Sequence, residues 1–181
     1  AHYEANAFAA EFFRRTLLDP ASGADARDYL AHRGIDDATA ERFALGYAPD
    51  EWRALREAAA RHGIPDALLL EVGLLTTSEK ASEPYDRFRH RVIFPIEGPS
   101  GRVVAFGGRI LGSGSSPRRT GKEPAKYVNT SETPIYHKSS VLYGLSRAKH
   151  AIRREGSALV VEGYMDAVSL AAAGFENVVA P

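Results

Sequence analysis

An α+β chain that closes on an α/β unit is predicted by three observations. Short segments with helical apolar spacing fill the stretch up to Leu75. "RHRVIFPIEGPSGRVVAFGGRIL" sets β-branched and aromatic residues on both sides of a turn. "ALVV", "YMDAVSLAAAG" and "ENVVA" then follow one another as strand, helix and strand. With 181 residues, 44 % of them hydrophobic, the chain can bury a substantial core in one large domain or two small ones.

From Tyr3 to Leu18 the residues Ala7, Phe8, Phe12 and Leu17 recur near helical spacing, and Asp19-Pro20 ends the helix. Phe8, Phe12 and Phe13 are read as core. "ADARDYLAHRGI", "DDATAERFALGY", "DEWRALREAAARHGI" and "PDALLLEVGLL" read as further short helices, opened by Asp or Pro and several closed by Gly. Residues 1–80 are thus expected to form a helical leader, ending in the polar, proline-bearing linker or exposed loop "TTSEKASEPYD". Residues 81–144 read as a small mixed β-rich subdomain. Its hairpin turns at "EGPSG", with Pro95 expected at a bulge or edge because it has no N–H to donate. Gly107-Gly108 marks a place where another backbone or a ligand comes close. "LGSGSSPRRTGKEPA" reads as a flexible basic loop and "KYVNT" as a short strand. Residues 145–181 begin with the amphipathic helix "LSRAKHAIRREG", cationic in its last turn, and end in one βαβ unit around a buried parallel sheet.

The absence of cysteine excludes disulfides and cysteine zinc sites from this stretch, and a reducing cytoplasm is the default expectation. No apolar run approaches the ~20 residues of a membrane helix, and the basic-then-apolar layout of a secretory signal is absent, so the chain reads as soluble. A net charge of +0 conceals a strong asymmetry. Arg87 to Arg154 holds 14 Lys and Arg against 3 Asp and Glu, whereas Ala1 to Asp86 holds 9 against 16 and Glu155 to Pro181 holds 0 against 4. Unlike segments could pair with one another in the fold, or the basic middle could be a stripe that binds a polyanion.

Glu162 stands at the carboxyl end of an apolar strand, the edge of an α/β sheet where ligands bind, and Gly163 lets the chain turn there without a side chain in the way. It reads either as a solvated strand-end charge or as a carboxylate for Mg²⁺ or acid/base chemistry. Asp166, in the first helical turn, is explained by the helix dipole, yet it can face the same mouth. Arg87, Arg89 and Arg91 at period two would share one strand face, with Phe88, His90 and Val92 pointing inward. "AKYVN" and "PIYHK" set Lys beside Tyr or His, a pattern suited to single-stranded backbone and stacked bases. His137 and His150 lack a third ligand at suitable spacing and are read as structural.

"LVVEGYMDAVSLAAAGF" resembles the first motif of the Toprim domain of bacterial replicative primases. "FRHRVIFPIEGPSGRVVAFGGRIL" and "AKYVNTSETPIYHKSSVLYGL" resemble, in order and spacing, the basic amino-terminal half of the same polymerase domain, and "ERFALGYAP" resembles its helical leader. The resemblance implies a DNA-directed RNA polymerase that makes short primers on a single-stranded DNA template from ribonucleoside triphosphates, yielding an RNA primer/DNA hybrid, with Mg²⁺ or Mn²⁺. It implies Glu162 and Asp166 as catalytic carboxylates, with Glu162 as metal ligand. It further implies Arg87, Arg89, Arg91, Arg109, Lys126, Tyr127, Asn129 and Lys138 as template or nucleotide contacts. The Asp-x-Asp pair that completes the Toprim metal site is absent, as are the family's amino-terminal zinc module and its module for the replicative helicase. The chain is therefore expected to be a truncated piece that binds nucleic acid but is inactive alone, its sheet left with an unpaired edge. Another Toprim protein, such as a phage primase, topoisomerase or nuclease, and a non-catalytic nucleic-acid-binding module are the competing readings.

Overall fold

The computed structural model describes residues 1–112 and 124–181. The greater part of the basic stretch "LGSGSSPRRTGKEPA" lies outside the described residues. Helix α1 (His2–Leu18) buries Ala5, Ala9 and Phe13, spaced by four, and Leu17 one turn further on. At its end the Arg27 guanidinium donates to the carbonyls of Leu17 and Asp19. Helices α2 (Ala24–His32) and α3 (Asp37–Arg42) follow, α3 capped by the Asp36 carboxylate on the Thr39 N–H at 2.8 Å.

The leader is not wholly helical, a correction to the sequence expectation. α3 stops at Arg42, Ala44 turns the chain at a φ of 51°, and Gly46–Ala48 is a strand, β1. Its three residues are all buried. A Cβ on Gly46 would lie 2.6 Å from the Cβ of Phe13, so only glycine lets α1 cross here. α4 (Ala54–Arg61) and α5 (Asp66–Glu71) come next, and then β2 (Leu75–Thr76) pairs with β3 (Tyr85–Asp86) to close the base of the polar loop between them.

The main sheet runs β1-β4-β5-β6, antiparallel throughout, with β4 (Arg91–Glu97), β5 (Val103–Ile110) and β6 (Tyr127–Asn129). β4 reads as an apolar run because both of its faces are covered. Ile93, with Phe106 of β5, packs on Phe13 and the α4–α5 layer, while Val92, Phe94 and Ile96 pack on the opposite side. β4 is an interior strand, yet β1 reaches only to Ile93, so Pro95 lies past the end of that neighbour, one residue before the register shift at Ile96/Glu97.

The second face of the sheet is covered by the carboxyl-terminal segment. α6 (Leu145–Glu155) ends at Gly156 with φ 69°, and β7 (Leu159–Val160), α7 (Tyr164–Ala172) and β8 (Val178–Val179) form a parallel βαβ unit. Only β8 is buried, which corrects the expectation of a buried two-stranded sheet. Tyr143 and Ala180 exchange backbone hydrogen bonds and tie β8 to the body, whereas β7 lies outermost and Val160 is 69 % exposed. Tyr164, at the start of α7, lies against Phe94 and Tyr143 at ring separations of 5.7 and 4.8 Å. Its ring lies over Gly107, where a Cβ would come within 2.3 Å of it. The close approach expected at Gly107-Gly108 is therefore made by side chains of this chain.

Gly107→Ala is expected to cost about 1–3 kcal/mol through displacement of the Tyr164 ring, lowering the melting temperature by roughly 2–4 °C for each kcal/mol. Thermal unfolding reads it; an unchanged midpoint would mean that Tyr164 moves away freely. A second expectation concerns Asp86, 3 % exposed, whose carboxylate accepts from the N–H groups of Leu55 and Arg56 at the start of α4. Burial pushes its carboxyl up to about 6, against the pull of those hydrogen bonds. The folded state thus holds the proton more tightly than the unfolded chain, so this contribution is full below the ordinary carboxyl range and is lost as pH rises to about 6. The stability difference between wild type and Asp86→Asn should shift by up to about 3 kcal/mol across that window and stay flat above pH ~7. Urea unfolding at a series of pH values checks the sign.

Candidate nucleic-acid interface

β6 and the start of α7 face each other across a cleft of about 490 Å³. The register of the sheet builds one wall. Gly107 pairs with Asn129 and Arg109 with Tyr127, so these four residues share a face, with Tyr164 seated on Gly107 beside Asn129. Lys126 enters the cleft just before β6, and Lys138 enters from a short 3-10 turn, Lys138–Ser140. The Lys138 N–H donates to a Glu132 oxygen at 2.9 Å, and the other oxygen lies 3.0 Å from Nδ1 of His137. These contacts, the Lys138 N–H first, hold the Glu132 carboxyl below its usual range. His137 thus has the Glu132 carboxylate as its partner.

The opposite wall is the β7–α7 turn. Val161 donates to the carbonyl of Val179, after which Glu162, Gly163 and Asp166 reach the cleft, both carboxylates exposed. Gly163 is not required by the fold. Its backbone is extended, with φ −135°, and a Cβ would meet only Asp166 Oδ2 at 3.4 Å, an ordinary contact. The steric reason given above for that glycine therefore fails within this chain.

The three arginines at period two do not form a row. His90 has a φ of 53°, which breaks the extended run, and β4 begins only at Arg91. Arg87 is half-buried, and its Nε and Nη2 donate to the Asn129 carbonyl at 3.2 and 2.8 Å, bracing β6; burial pulls its guanidinium below the usual range. Arg89 stands over the Trp52 ring at 4.0 Å and the Tyr85 ring at 5.3 Å, away from the cleft lining. Arg91 is 4 % exposed on the sheet face opposite Arg109. The common inward phase fails for the same reason: Phe88 and Val92 are both buried, but Phe88 packs with Phe13 and Phe106 and Val92 with Phe94 on the other side of the sheet, while His90 is half-buried with its Nδ1 2.8 Å from the Tyr47 hydroxyl.

Arg109 is placed between Tyr29 and Tyr127, 4.8 and 5.9 Å from the ring centres, with its Nε buried and without a hydrogen-bond partner among the described residues. Arg33 and Tyr164 also line the cleft and were not singled out from the sequence: Arg33, stacked on Tyr29 at 5.5 Å, belongs to no motif there, and Tyr164 lies in one only as a residue between Glu162 and Asp166. The cleft thus gathers three cations, an aromatic face and an amide opposite two carboxylates, an arrangement able to hold phosphate oxygens and stack a base.

The fit to a metal is incomplete. Glu162 and Asp166 offer the hard oxygens Mg²⁺ prefers, but among the described residues no group of three or more His, Asp or Glu side chains could hold an ion. No described helix is long and apolar enough to cross a membrane.

Residues 12–149 match the family model of the DNA primase catalytic core, N-terminal domain. The DNA primase of Deinococcus radiodurans is 45 % identical over 178 residues, covering 98 % of this chain and 29 % of that protein. The RNA polymerase domain of Mycobacterium tuberculosis primase DnaG, solved with double-stranded DNA bearing a 6-nucleotide overhang, superposes with a TM-score of 0.86 at 38 % identity, over 99 % of this chain and 53 % of that one. A primase catalytic domain bound to single-stranded DNA gives 0.80, also at 38 % identity, over 99 % and 52 %. The chain spans less than a third of the curated relatives it matches and about half of the solved domains. This chain belongs to the bacterial DNA primase family and comprises the N-terminal domain of its catalytic core.

Proposed function

We propose that this chain is the template-handling half of a primase polymerase domain, and that single-stranded DNA and ribonucleoside triphosphates engage the cleft between β6 and α7. One observation carries the reading. Lys126, Lys138 and Arg33, with Tyr127 and Asn129 beside them, share one cleft with Glu162 and Asp166. Cations there neutralise backbone phosphates, Tyr127 offers a face to a base, and the carboxylates stand where a reacting end would lie. Arg109 supports Tyr127, and Arg87 acts by bracing Asn129.

On this reading residues 1–80 are a leader, 81–144 the basic template-handling subdomain and 145–181 the first βαβ unit of a Toprim domain. The parent protein would act in the bacterial cytoplasm, polymerising ribonucleotides into a primer paired with DNA. Mg²⁺ or Mn²⁺ would supply charge neutralisation at the phosphates, Glu162 contributing to a site that needs carboxylates beyond this chain. Zinc and replicative helicase contacts would belong to other modules of that protein.

The chain should bind oligothymidylate with an affinity that falls steeply with salt. With the three cleft cations on phosphates the log–log slope is about −2, and Lys138→Ala should weaken binding alike for all sequences while flattening the slope by roughly 0.7. Fluorescence titrations across a salt series test this, and a salt-independent affinity or a base-selective loss would refute it. In a chain extended to the whole polymerase domain, Glu162→Gln should abolish primer synthesis while leaving oligothymidylate affinity within a factor of about two; retained synthesis would exclude a catalytic role for Glu162.

A further inference from the structure

We infer that Arg91 is the positioning residue that aims Lys126 into the cleft, and that Arg91 itself does not touch the nucleic acid. The inference rests on the DNA-binding reading above and deepens it. Arg91 faces the α1 side of the sheet, and its aliphatic stem crosses Gly108, where a Cβ would lie 3.0 Å from Arg91 Cδ. The absent side chain gives the guanidinium a path to the neighbouring strand. There Nη2 donates to the Ala125 carbonyl at 2.8 Å, and Nη1 donates to the carbonyls of Lys126 and Gly108 at 3.3 and 3.1 Å.

The Ala125 and Lys126 carbonyls belong to the two peptide planes that flank the Cα of Lys126. One planar fork therefore fixes both planes, and with them the direction in which the lysine side chain leaves the backbone. The sheet ladder alone does less. Ile110 N–H reaches the Lys126 carbonyl at 2.9 Å, but the Ala125 carbonyl lies beyond the paired residues of β6, which begin at Tyr127. Burying a cation is costly unless its donors are satisfied. Here Nη1 and Nη2 meet carbonyls from the side of the sheet away from the cleft, so these donors serve geometry.

The test is a binding cycle with fluorescent oligothymidylate on wild type, Arg91→Met, Lys126→Ala, Lys138→Ala and the double variants pairing Arg91→Met with each lysine change. Arg91→Met should match the loss of Lys126→Ala within a factor of about two, add nothing to it in the double variant, and multiply with Lys138→Ala. The salt slope should fall by about 0.7 in Arg91→Met, Lys126→Ala and their double variant alike. Losses that multiply for Arg91 and Lys126, with a further drop in slope, overturn the inference, because Arg91 would then hold a phosphate itself. Equal non-additivity with both lysines also overturns it, since that is the mark of general unfolding. If Arg91→Met does not fold, Arg91→Lys serves in the same cycle: it keeps the charge and loses the fork, so wild-type binding overturns the inference. On the unaltered chain, saturating oligothymidylate should leave the Arg91 Nε–H resonance in place while moving that of Lys126 Nζ, and the reverse overturns it. Should Lys126→Ala leave binding unchanged, the cleft reading fails together with this one; should it weaken binding while Arg91→Met behaves additively, only this inference fails.

Discussion

The seat of Tyr164 on Gly107 is the contact on which the rest depends. The ring belongs to the first residue of α7, two positions after Glu162 and two before Asp166, and the glycine belongs to β5, directly across the ladder from Asn129. A single van der Waals contact therefore sets the spacing between the acidic turn and the amide-and-cation wall. Phe94 and Tyr143 hold the ring from its other sides. Interiors are packed densely enough that such a contact has one arrangement rather than a range. The width of the cleft follows from it.

Basic residues in this molecule serve two different ends, and burial separates them. Arg27, Arg87 and Arg91 spend their donors on backbone carbonyls: Arg27 at the end of α1, Arg87 and Arg91 along β6 and the residues just before it. Lys126 and Lys138 leave their ammonium groups in solvent at the cleft, carried on backbone that those arginines or Glu132 hold in place. The division follows the chemistry of the two side chains, a rigid fork being suited to several carbonyls at once and a flexible point charge to a moving phosphate.

Much of this was legible before any coordinates. The helix ends at Asp19-Pro20 and Gly156, the hairpin at "EGPSG" and the final strand–helix–strand order all follow from local rules, and the structure has them. What stayed hidden depends on residues distant in sequence. β1 is three residues long and is a strand only because β4 pairs with it and α1 covers it. The row of three arginines failed because period-two reasoning assumes an unbroken strand, and the left-handed turn at His90 carries no signal of the glycine or asparagine kind. In the cleft, Lys126, Tyr127, Asn129, Lys138, Glu162 and Asp166 were found from motifs. Arg33 was not, since only the tertiary fold brings the end of α2 to β6.

The cap supplied by Asp86 to α4 has a kinetic meaning. An eight-residue helix is marginal by itself, and here the group that satisfies its first N–H donors arrives from a strand 30 and 31 residues further along. Closing that span costs chain entropy before the cap returns anything. Consolidation of α4 is thereby deferred until β2 and β3 have zipped, so the amino-terminal part of the molecule acquires its order through non-local contacts despite its helical content. In folding rate it should behave more like a β-rich protein than like a bundle.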